Sequence, residues 1–536
     1  MTKINRVLIS VSDKSGIDKL GRALKSLQCE IISTGGTKKV LESNSVNVID
    51  ISNVTGNPEA FGGRMKTISF AIESALLFDR DKDLDEAKRL GIVPIDMVVC
   101  NLYPFAKVKQ QGANFDTLIE NIDIGGPTMI RAAAKNFKFV AVVTDPDDYD
   151  QIIDELNQNN GFISIETKKE LMRKAFNYTA DYDALIADTM DNDAGIISHR
   201  FAFTKGKVLR YGENAHQAAS FLRQRDTSDS LYDMEVLHGK ELSFNNIGDI
   251  YAAIEAVRDL PGGGCAIIKH ANPCGLATAS DQLKAFQLAW AGDTVSAYGS
   301  VIAFNGKLTR KTVEFLELDA EDKSKRKFVE VIIAPQIDDD ARDYLYFHKN
   351  LRVIQFDSNR LNTMSDIKFY FNSILYQTAD RSLYDKLEWV THLKRDIDDD
   401  LLKFGIIACR QLKSNSIAAV RRVGGDALQL LGMGCGQPNR VNSTELTLKK
   451  CHNNLIAELG SIPDLEKDTL LKRKMADVVL FSDAFFPFSD NVNLSYDYGI
   501  QTIVQPGGSI RDAEVIDKCN ELHIAMLFTG TRHFKH

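Results

Sequence analysis

None of the eight cysteines forms a Cys-x-x-Cys pair. Structural zinc sites draw on such pairs, and disulfide frameworks belong to small secreted chains, so neither is expected. Scattered thiols fit a reducing compartment, which gives a cytoplasmic expectation. No apolar stretch is long enough to cross a bilayer. The first residues hold only a short apolar run, Val7-Leu8-Ile9, too short for the core of a signal peptide. Positive charge is not in surplus either. Lys and Arg number 65 against 73 Asp and Glu, a net charge of −8. General nucleic-acid binding is therefore not expected, although a local basic site can still hold phosphate.

What the chain does have is length. Its 536 residues exceed what one hydrophobic core holds, so two to four domains are expected. A hydrophobic content of 44% and a charged content of 26% are ordinary for a soluble globular protein.

The most informative stretch is Cys265 to Gly275. Ala266-Ile267-Ile268 reads as a buried strand that delivers Lys269 and His270 side by side. Asn272-Pro273 and Gly275 then break it. Strand neighbours point to opposite faces, so the two side chains share a site only if the chain bends there. An adjacent imidazole and ammonium can supply a base and an acid near neutral pH. A surface Lys beside a hydrogen-bonded His is the plainer alternative.

Strand-like runs also open the chain. Val7 to Val11 leads into Ser12-Asp13-Lys14-Ser15-Gly16 and a helical pattern from Ile17 to Leu27. Cys29 to Ile32 leads into Ser33-Thr34-Gly35-Gly36-Thr37, with a helix opening at Lys38. Two Ser/Thr/Gly loops after successive strands fit one phosphate held from two sides by helix N-termini, with Lys14 adding charge. Plain helix capping would give the same pattern. Gly62-Gly63-Arg64-Met65-Lys66-Thr67 is a glycine-flanked basic pair. Val98 to Phe105 is a strand through Cys100 that ends in Asn101 and Tyr103. Asp123, the Gly125-Gly126 turn and a helix with Arg131 and Lys135 follow, then the strand Phe139 to Val143. Alternating strands and helices imply a parallel sheet with ligand loops at the strand C-terminal ends.

Together, Val11 to Gly16, Ser33 to Thr37, Cys100 to Phe105 and Ile122 to Lys135 resemble the inosine monophosphate (IMP) cyclohydrolase domain of the bifunctional purine biosynthesis enzymes. The fold of that domain is similar to methylglyoxal synthase.

Residues 150–200 read as polar and helix-rich, with Lys168 to Asp188 helical and Asp191 to Gly195 as punctuation between domains. Leu209 to Gln217 is polar and turn-rich, and Arg210 suits a phosphate fork. Ser243 to Asp249, which includes Asn246, precedes an alanine-rich helix and could be its cap. Residues 309–328 are charge-dense and read as a solvated helix. Phe328 to Pro335 is a strand with Glu330 inside it. A buried Glu needs a partner or a ligand, and exposure on an edge strand is equally open. Asn415 stands at a strand start, and the glycine-rich run Leu431 to Arg440 precedes a helix. Phe481 to Phe488 is aromatic-rich, suited to a core turn or to a flat ring substrate. The chain ends on Arg532 and His536 without a polar tail, as if tied down.

In this order the pieces resemble the formyltransferase domain of the same enzymes, and the combined resemblance covers nearly the whole chain. It implies an α/β fold in two parts. Residues 1–198 would be a methylglyoxal-synthase-like parallel-sheet domain, and residues 199–536 a formyltransferase region of two similar, cytidine-deaminase-like subdomains. It implies formyl transfer from 10-formyltetrahydrofolate, as co-substrate, to the aminoimidazole carboxamide ribonucleotide (AICAR), then dehydrative ring closure to IMP. By resemblance His270 is the base, Lys269 protonates the departing folate nitrogen and Asn415 orients the reacting groups. Lys66, Tyr103, Asp123 and Lys135 carry the ring closure. Ser12, Lys14, Ser33, Thr34, Gly36, Thr37, Arg64, Thr67, Cys100, Asn101, Gly125 and Gly126 would bind its nucleotide. In the transferase, Arg210, Tyr211, Asn246, Tyr298, Gly299, Glu330, Arg440, Phe485, Arg532 and His536 would bind substrate. Small-molecule substrates and a second copy of the chain are the implied partners, with no nucleic acid, membrane, metal or tightly bound cofactor.

The sequence departs from the family's pattern at named places. Ile68-Ser69-Phe70 stands where a Leu-His-Pro segment is usual, Ala215 where Pro is, Tyr298 for Phe and Glu330 for Asp. The first raises the alternative of a transferase whose cyclohydrolase domain binds nucleotide but is impaired. A zinc deaminase does not fit, because His270-Ala271-Asn272 lacks the Glu of H-x-E and Pro273-Cys274 lacks a second Cys at the required spacing.

Overall fold

The computed structural model describes every residue except Glu59, Gly62, Gly63, Asp226, Ser228, Thr363 and Met364. The glycines before Arg64 thus lie outside the described residues. The chain divides into two compact units, Met1–Ala202 and Phe203–His536.

Five strands form the sheet of the first unit: β1 (Arg6–Val11), β2 (Glu30–Ser33), β3 (Ile49–Asp50), β4 (Met97–Asn101) and β5 (Ala141–Val143). Their order is β3-β2-β1-β4-β5 and every pair is parallel. Val7, Leu8, Ile9, Val98 and Val99 are wholly buried. Such continuous apolar strands belong to parallel sheets covered on both faces. The covering helices include α1 (Ile17–Ser26), α2 (Gly35–Ser43), α3 (Phe70–Leu77), α4 (Gly125–Lys135) and the long α5 (Ile165–Asp193).

Two boundaries differ from those predicted. Helix α2 starts at Gly35 rather than Lys38, and the Lys38 N–H closes its first turn on the Thr34 carbonyl. Glycine's helix penalty belongs to interiors. First-turn N–H groups have no intrahelical partner anyway, so Gly35-Gly36 are tolerated there. Helix α5 runs through Asp191 to Asp193 and ends at Ala194, followed by Gly195 in left-handed backbone.

The second unit is built on a twelve-stranded sheet. Its first half comprises β6 (Glu235–His238), α6 (Phe244–Arg258), β7 (Gly263–Lys269), β8 (Asn272–Ala279), α7 (Gln282–Gly292), β9 (Ser300–Phe304), β10 (Val329–Ala334), α8 (Asp339–Tyr346) and β11 (Arg352–Gln355). Its second half comprises β12 (Glu388–Trp389), α9 (Asp399–Gln411), β13 (Ile417–Arg422), β14 (Leu428–Gly434), α10 (Arg440–Leu459), β15 (Val479–Ser482), α11 (Asp490–Asp497), β16 (Thr502–Gln505), α12 (Asp512–Glu521) and β17 (Ala525–Phe528). The sheet order is β6-β11-β10-β9-β7-β8-β14-β13-β15-β16-β17-β12. Read from either end, it names equivalent strands, so the two similar subdomains are two copies of one element order. They join where β8 pairs antiparallel with β14.

A packing detail repeats as well. A Cβ added at Gly275 of β8 would overlap the Ala289 carbonyl of α7, and one at Gly434 of β14 would overlap the Ser443 carbonyl of α10. In both copies, glycine lets the second strand press against the helix that follows. Helices α6 and α9 pack on one face of the sheet in a core that runs through both halves. The opposite face carries a separate core in each half.

Residues 309–328 do not form the solvated helix expected. A single turn of helix, Arg310–Val313, passes into a 3₁₀ turn, and Glu317 in left-handed backbone ends it. A further 3₁₀ turn at Lys323–Lys325 is capped by Asp322, whose side chain accepts from the Ser324 N–H. Asp and Ser compete in this way with helix for backbone donors.

Candidate active site

At the C-terminal ends of β1, β2 and β4, three loops converge. Lys14 turns back so that its Nζ donates to the Ser12 carbonyl at 3.1 Å and the Val11 carbonyl at 3.4 Å. A Cβ on Gly36 would stand 3.3 Å from Lys14 Cε, so the two Ser/Thr/Gly loops meet at this ammonium. Several side chains expected to grip nucleotide instead hold the loops. Ser33 Oγ donates to the Ile9 carbonyl at 2.7 Å. Thr37 Oγ1 donates to the Val11 carbonyl at 3.0 Å and accepts the Val11 N–H at 3.2 Å. Asn101 Oδ1 accepts the N–H groups of Ser12 and Asp13 at 2.6 and 2.8 Å. Thr34 caps α2 through its backbone, with no side-chain cap bond among the described residues.

Beside these loops lies Asp123. Its Oδ1 accepts the Gly126 N–H at 2.7 Å, while its own N–H donates to the Tyr182 hydroxyl at 2.8 Å. The Leu102 N–H donates to the Tyr178 hydroxyl at 2.9 Å. Tyr178 and Tyr182 lie four apart on α5 and so share one face. Burial raises the Asp123 carboxyl, against the lowering effect of the Gly126 and Tyr103 N–H groups. Burial also pushes Tyr182 up to about 12. Cys100 is buried, and desolvation, then the Asp123 charge, raises its thiol. It packs in the core as a small apolar group and is no nucleophile. A Cβ on Gly125 would lie 2.6 Å from Thr67 Oγ1, which brings the segment after Lys66 against the start of α4. Lys66 is half-buried and Tyr103 exposed. Arg64 is exposed and paired with Glu120.

Lys135 does not join this group. It is exposed at the last residue of α4, about 15 Å along the axis from Gly125 at 1.5 Å per residue. The segment that departs from the family's pattern also has a local role. Ser69 caps α3, its side chain accepting the Ile72 N–H at 3.2 Å, and Phe70 is exposed.

In the second unit, Lys269 pairs with Asn272 across the β7–β8 hairpin. His270 and Ala271 are left as a two-residue turn, both in left-handed backbone with φ of 52° and 60°. This is the bend that the sequence required. Lys269 Nζ donates to the carbonyls of Tyr298 and Gly299 at 2.9 and 2.8 Å. His270 is exposed. Asn272 Oδ1 accepts the Lys413 N–H at 3.2 Å and so stitches the turn to the segment that carries Asn415.

Asn415 belongs to a buried network. Its Oδ1 accepts from Arg440 Nη2 at 2.8 Å, and its Nδ2 donates to the carbonyls of Gln437 and Pro438 at 3.0 and 3.2 Å. Arg440 opens α10 and is buried. Its Nη1 donates to Asp483 Oδ1 at 2.8 Å and its Nε to the Phe485 carbonyl at 3.3 Å. Asp483, central here, gave no signal in the sequence beyond lying among the phenylalanines. Those divide: Phe481 and Phe486 are core, Phe485 is half-buried and Phe488 is exposed beneath Arg511. They do not make one flat platform, because the strand and the turn after it point them different ways. The C-terminus is tied down as read. The His533 N–H donates to the Asp483 carbonyl at 2.8 Å, and Lys535 Nζ reaches Glu255 and Gln411. Arg532, over the Phe534 ring, and His536 remain exposed.

A cleft of about 630 Å³ opens between the turn-rich 209–217 segment and the start of α6. Arg210 and Tyr211 line it, the guanidinium 4.7 Å above the phenol ring. Asn246 does too, while forming a capping box with Ser243, so the cap expected there is present. Glu330 is not on an edge, since β10 lies between β9 and β11. Its partner is Arg352 of β11, which sequence reading missed; Nη1 donates to Glu330 Oε2 at 2.7 Å. Phe328 also lines the cleft, with the exposed Tyr298 ring 5.4 Å away and the Gly299 N–H donating to its carbonyl at 2.7 Å.

Comparison with known proteins joins these parts. A sequence profile for the AICARFT/IMPCHase bienzyme matches residues 133–450, and one for the MGS-like domain matches residues 16–128. The chain belongs to the AICARFT/IMPCHase bienzyme family. Three relatives, each named bifunctional purine biosynthesis protein PurH, match it nearly end to end. The one from Persephonella marina is 40% identical over 99% of both chains. The one from Clostridium botulinum (strain Loch Maree / Type A3) is 40% identical over 99% of this chain and 100% of its own. The one from Aquifex aeolicus is 41% identical over the same shares.

This bienzyme is therefore an enzyme of purine biosynthesis with formyltransferase and cyclohydrolase activities, and its first unit holds the MGS-like domain. Among the described residues, no cluster of three His, Cys, Asp or Glu is placed to hold a metal ion. Nor, among them, is any helix long and apolar enough to cross a membrane.

Proposed function

We propose that the second unit transfers the formyl group and the first closes the ring. The observation that carries the first assignment is the β7–β8 turn. It separates a pinned Lys269 ammonium from an exposed His270 imidazole at one corner, stitched to the Asn415 network. The 5-amino group of the carboxamide ribonucleotide is a poor nucleophile, because its lone pair is delocalised toward the carboxamide. His270 accepts its proton, through the carboxamide, as the new N–C bond forms to the formyl carbon. The bond from that carbon to N10 of 10-formyltetrahydrofolate breaks, and Lys269 gives N10 a proton. Asn415 orients the reacting groups, and Arg440 holds Asn415 rather than the substrate. Arg210, Tyr211 and Glu330 take the nucleotide in the cleft.

For ring closure, the carboxamide nitrogen attacks the formamide carbon and water leaves. Asp123, Tyr103 and Lys66 carry the proton transfers, and the α2 N-terminus with Lys14 and Ser12 holds the phosphate. Lys135 stands at the far end of α4 from Gly125 and is given no role in this reading. The reading places the enzyme in the cytoplasm, with folate as a passing co-substrate and a homodimer as the working transferase.

The test follows tetrahydrofolate and IMP separately in purified protein. His270→Ala and Lys269→Ala should each cut tetrahydrofolate release by about 10²-fold or more. Both should still convert supplied formylated nucleotide to IMP. Wild-type formyl transfer in His270→Ala would sink the assignment.

A further inference from the structure

We infer that Asp249 is a positioning residue for formyl transfer, its carboxylate clamping the turn that presents His270. The inference rests on the reading of His270 as the base. His270 and Ala271 occupy both central positions of the hairpin turn with positive φ. Residues with a Cβ enter this backbone region at a cost, and such turns are usually built from Asn-Gly, Asp-Gly or Gly-Gly. Histidine followed by alanine has no conformational reason to stay there, so the turn is held from outside.

Asp249, on α6, supplies the hold. Its Oδ1 accepts the Ala271 N–H at 2.7 Å. Burial raises the Asp249 carboxyl, while the Ala271 N–H and the nearby His270 and Lys269 charges favour its ionised form. The far side of the turn is gripped too: Asn272 Nδ2 donates to the His270 carbonyl at 3.1 Å. Lys269 has its own anchors in the Tyr298 and Gly299 carbonyls. Loss of Asp249 therefore displaces the base more than the acid. Asp249 touches no reacting atom in this account; it acts through the backbone of its neighbour.

The experiment uses the full-length enzyme with Asp249→Ala, Asp249→Asn and Ala271→Gly. A displacement near 1 Å at a catalytic group costs about 10²-fold, so Asp249→Ala should lower kcat for formyl transfer by about that factor. KM for the carboxamide ribonucleotide should move by less than about 3-fold, since binding is not the lost interaction. Ring closure from supplied formylated nucleotide should be unchanged. Asp249→Asn keeps one acceptor oxygen and should lose less. Glycine removes the cost of left-handed backbone, so adding Ala271→Gly to either variant should restore part of kcat, roughly 10-fold for the alanine variant. A carboxylate that merely stabilised α6 would gain nothing from glycine in a neighbouring hairpin. If Asp249→Ala keeps wild-type kcat while His270→Ala is inactive, the clamp is overturned and the base assignment stands. A loss that Ala271→Gly does not relieve, in the alanine variant or in the near-isosteric asparagine one, also overturns the clamp. Full activity in His270→Ala overturns both.

Discussion

Asp483 has no exposed surface, and the Arg440 side chain that faces it is 6% exposed. A pair buried this deeply adds little over apolar residues of the same size, but removing one member strands the other. Arg440→Ala should therefore lose about 3–5 kcal/mol, read as a lowered urea midpoint. Replacing both members, as Arg440→Met with Asp483→Leu, should recover much of that stability. Formyl transfer should not recover, because Asn415 Oδ1 still lacks the guanidinium that fixes it. Recovery of both together would mean that the network serves only the fold. The bend at this scale was legible. The adjacency of Lys269 and His270 and the need for a bend are properties of neighbours in sequence. Arg352 lies on the strand beside Glu330, and Asp483 is far along the chain from Arg440. Nothing local announces either pairing, because strand register and helix docking decide them.

Helices and strands were read with more success where the chain is continuously apolar, as in β1, β5, β7 and β10. Polar elements were read less well. The α2 start is hidden because Gly35-Gly36 reads as loop, and residues 309–328 mislead because their charge density reads as helix. Tyr178 and Tyr182 on α5 went unnoticed as braces of the Asp123 loop, although their spacing of four was visible. Helix α3 carries a further consequence. Glu73 is partly buried, and among the described residues its Oε1 has no hydrogen-bond partner. Burial raises its carboxyl above the ordinary 4.5. A carboxyl raised in the folded state costs nothing below its ordinary value and destabilises as pH climbs through the folded one. Glu73→Met should then stabilise the first unit by about 1 kcal/mol at pH 7, and the gain should fade as the solution is acidified past that value. Thermal melts at neutral and acid pH check this. A gain that persists unchanged in acid would point to packing rather than charge.

At the scale of the whole molecule, each unit has its own sheet and its own core, so each should fold alone. Residues 203–536 expressed by themselves should transfer formyl and sediment as a dimer. A folded but inactive fragment would show that the activities are not separable, and active monomers would contradict the dimer. The palindromic sheet, finally, means that the corner proposed for formyl transfer has a counterpart in the other half. One corner joins the turn after β7 to the segment before β13. By the sheet's own symmetry, its counterpart joins the turn after β13 to the segment before β7. There Gly424 and Gly425 make the turn, and Asp426 Oδ2 accepts the N–H of Ser280, just past the end of β8, at 2.6 Å. The turn itself carries no lysine or histidine, and the Lys284 Nζ of α7 donates to its Val423 carbonyl at 3.2 Å. If formyl transfer uses only the first corner, the second is free for engineering. A soluble tag of about ten residues inserted between Gly424 and Gly425 should leave tetrahydrofolate release and IMP formation intact, since exposed turns tolerate insertion. The same insertion between His270 and Ala271 should abolish the first and spare the second.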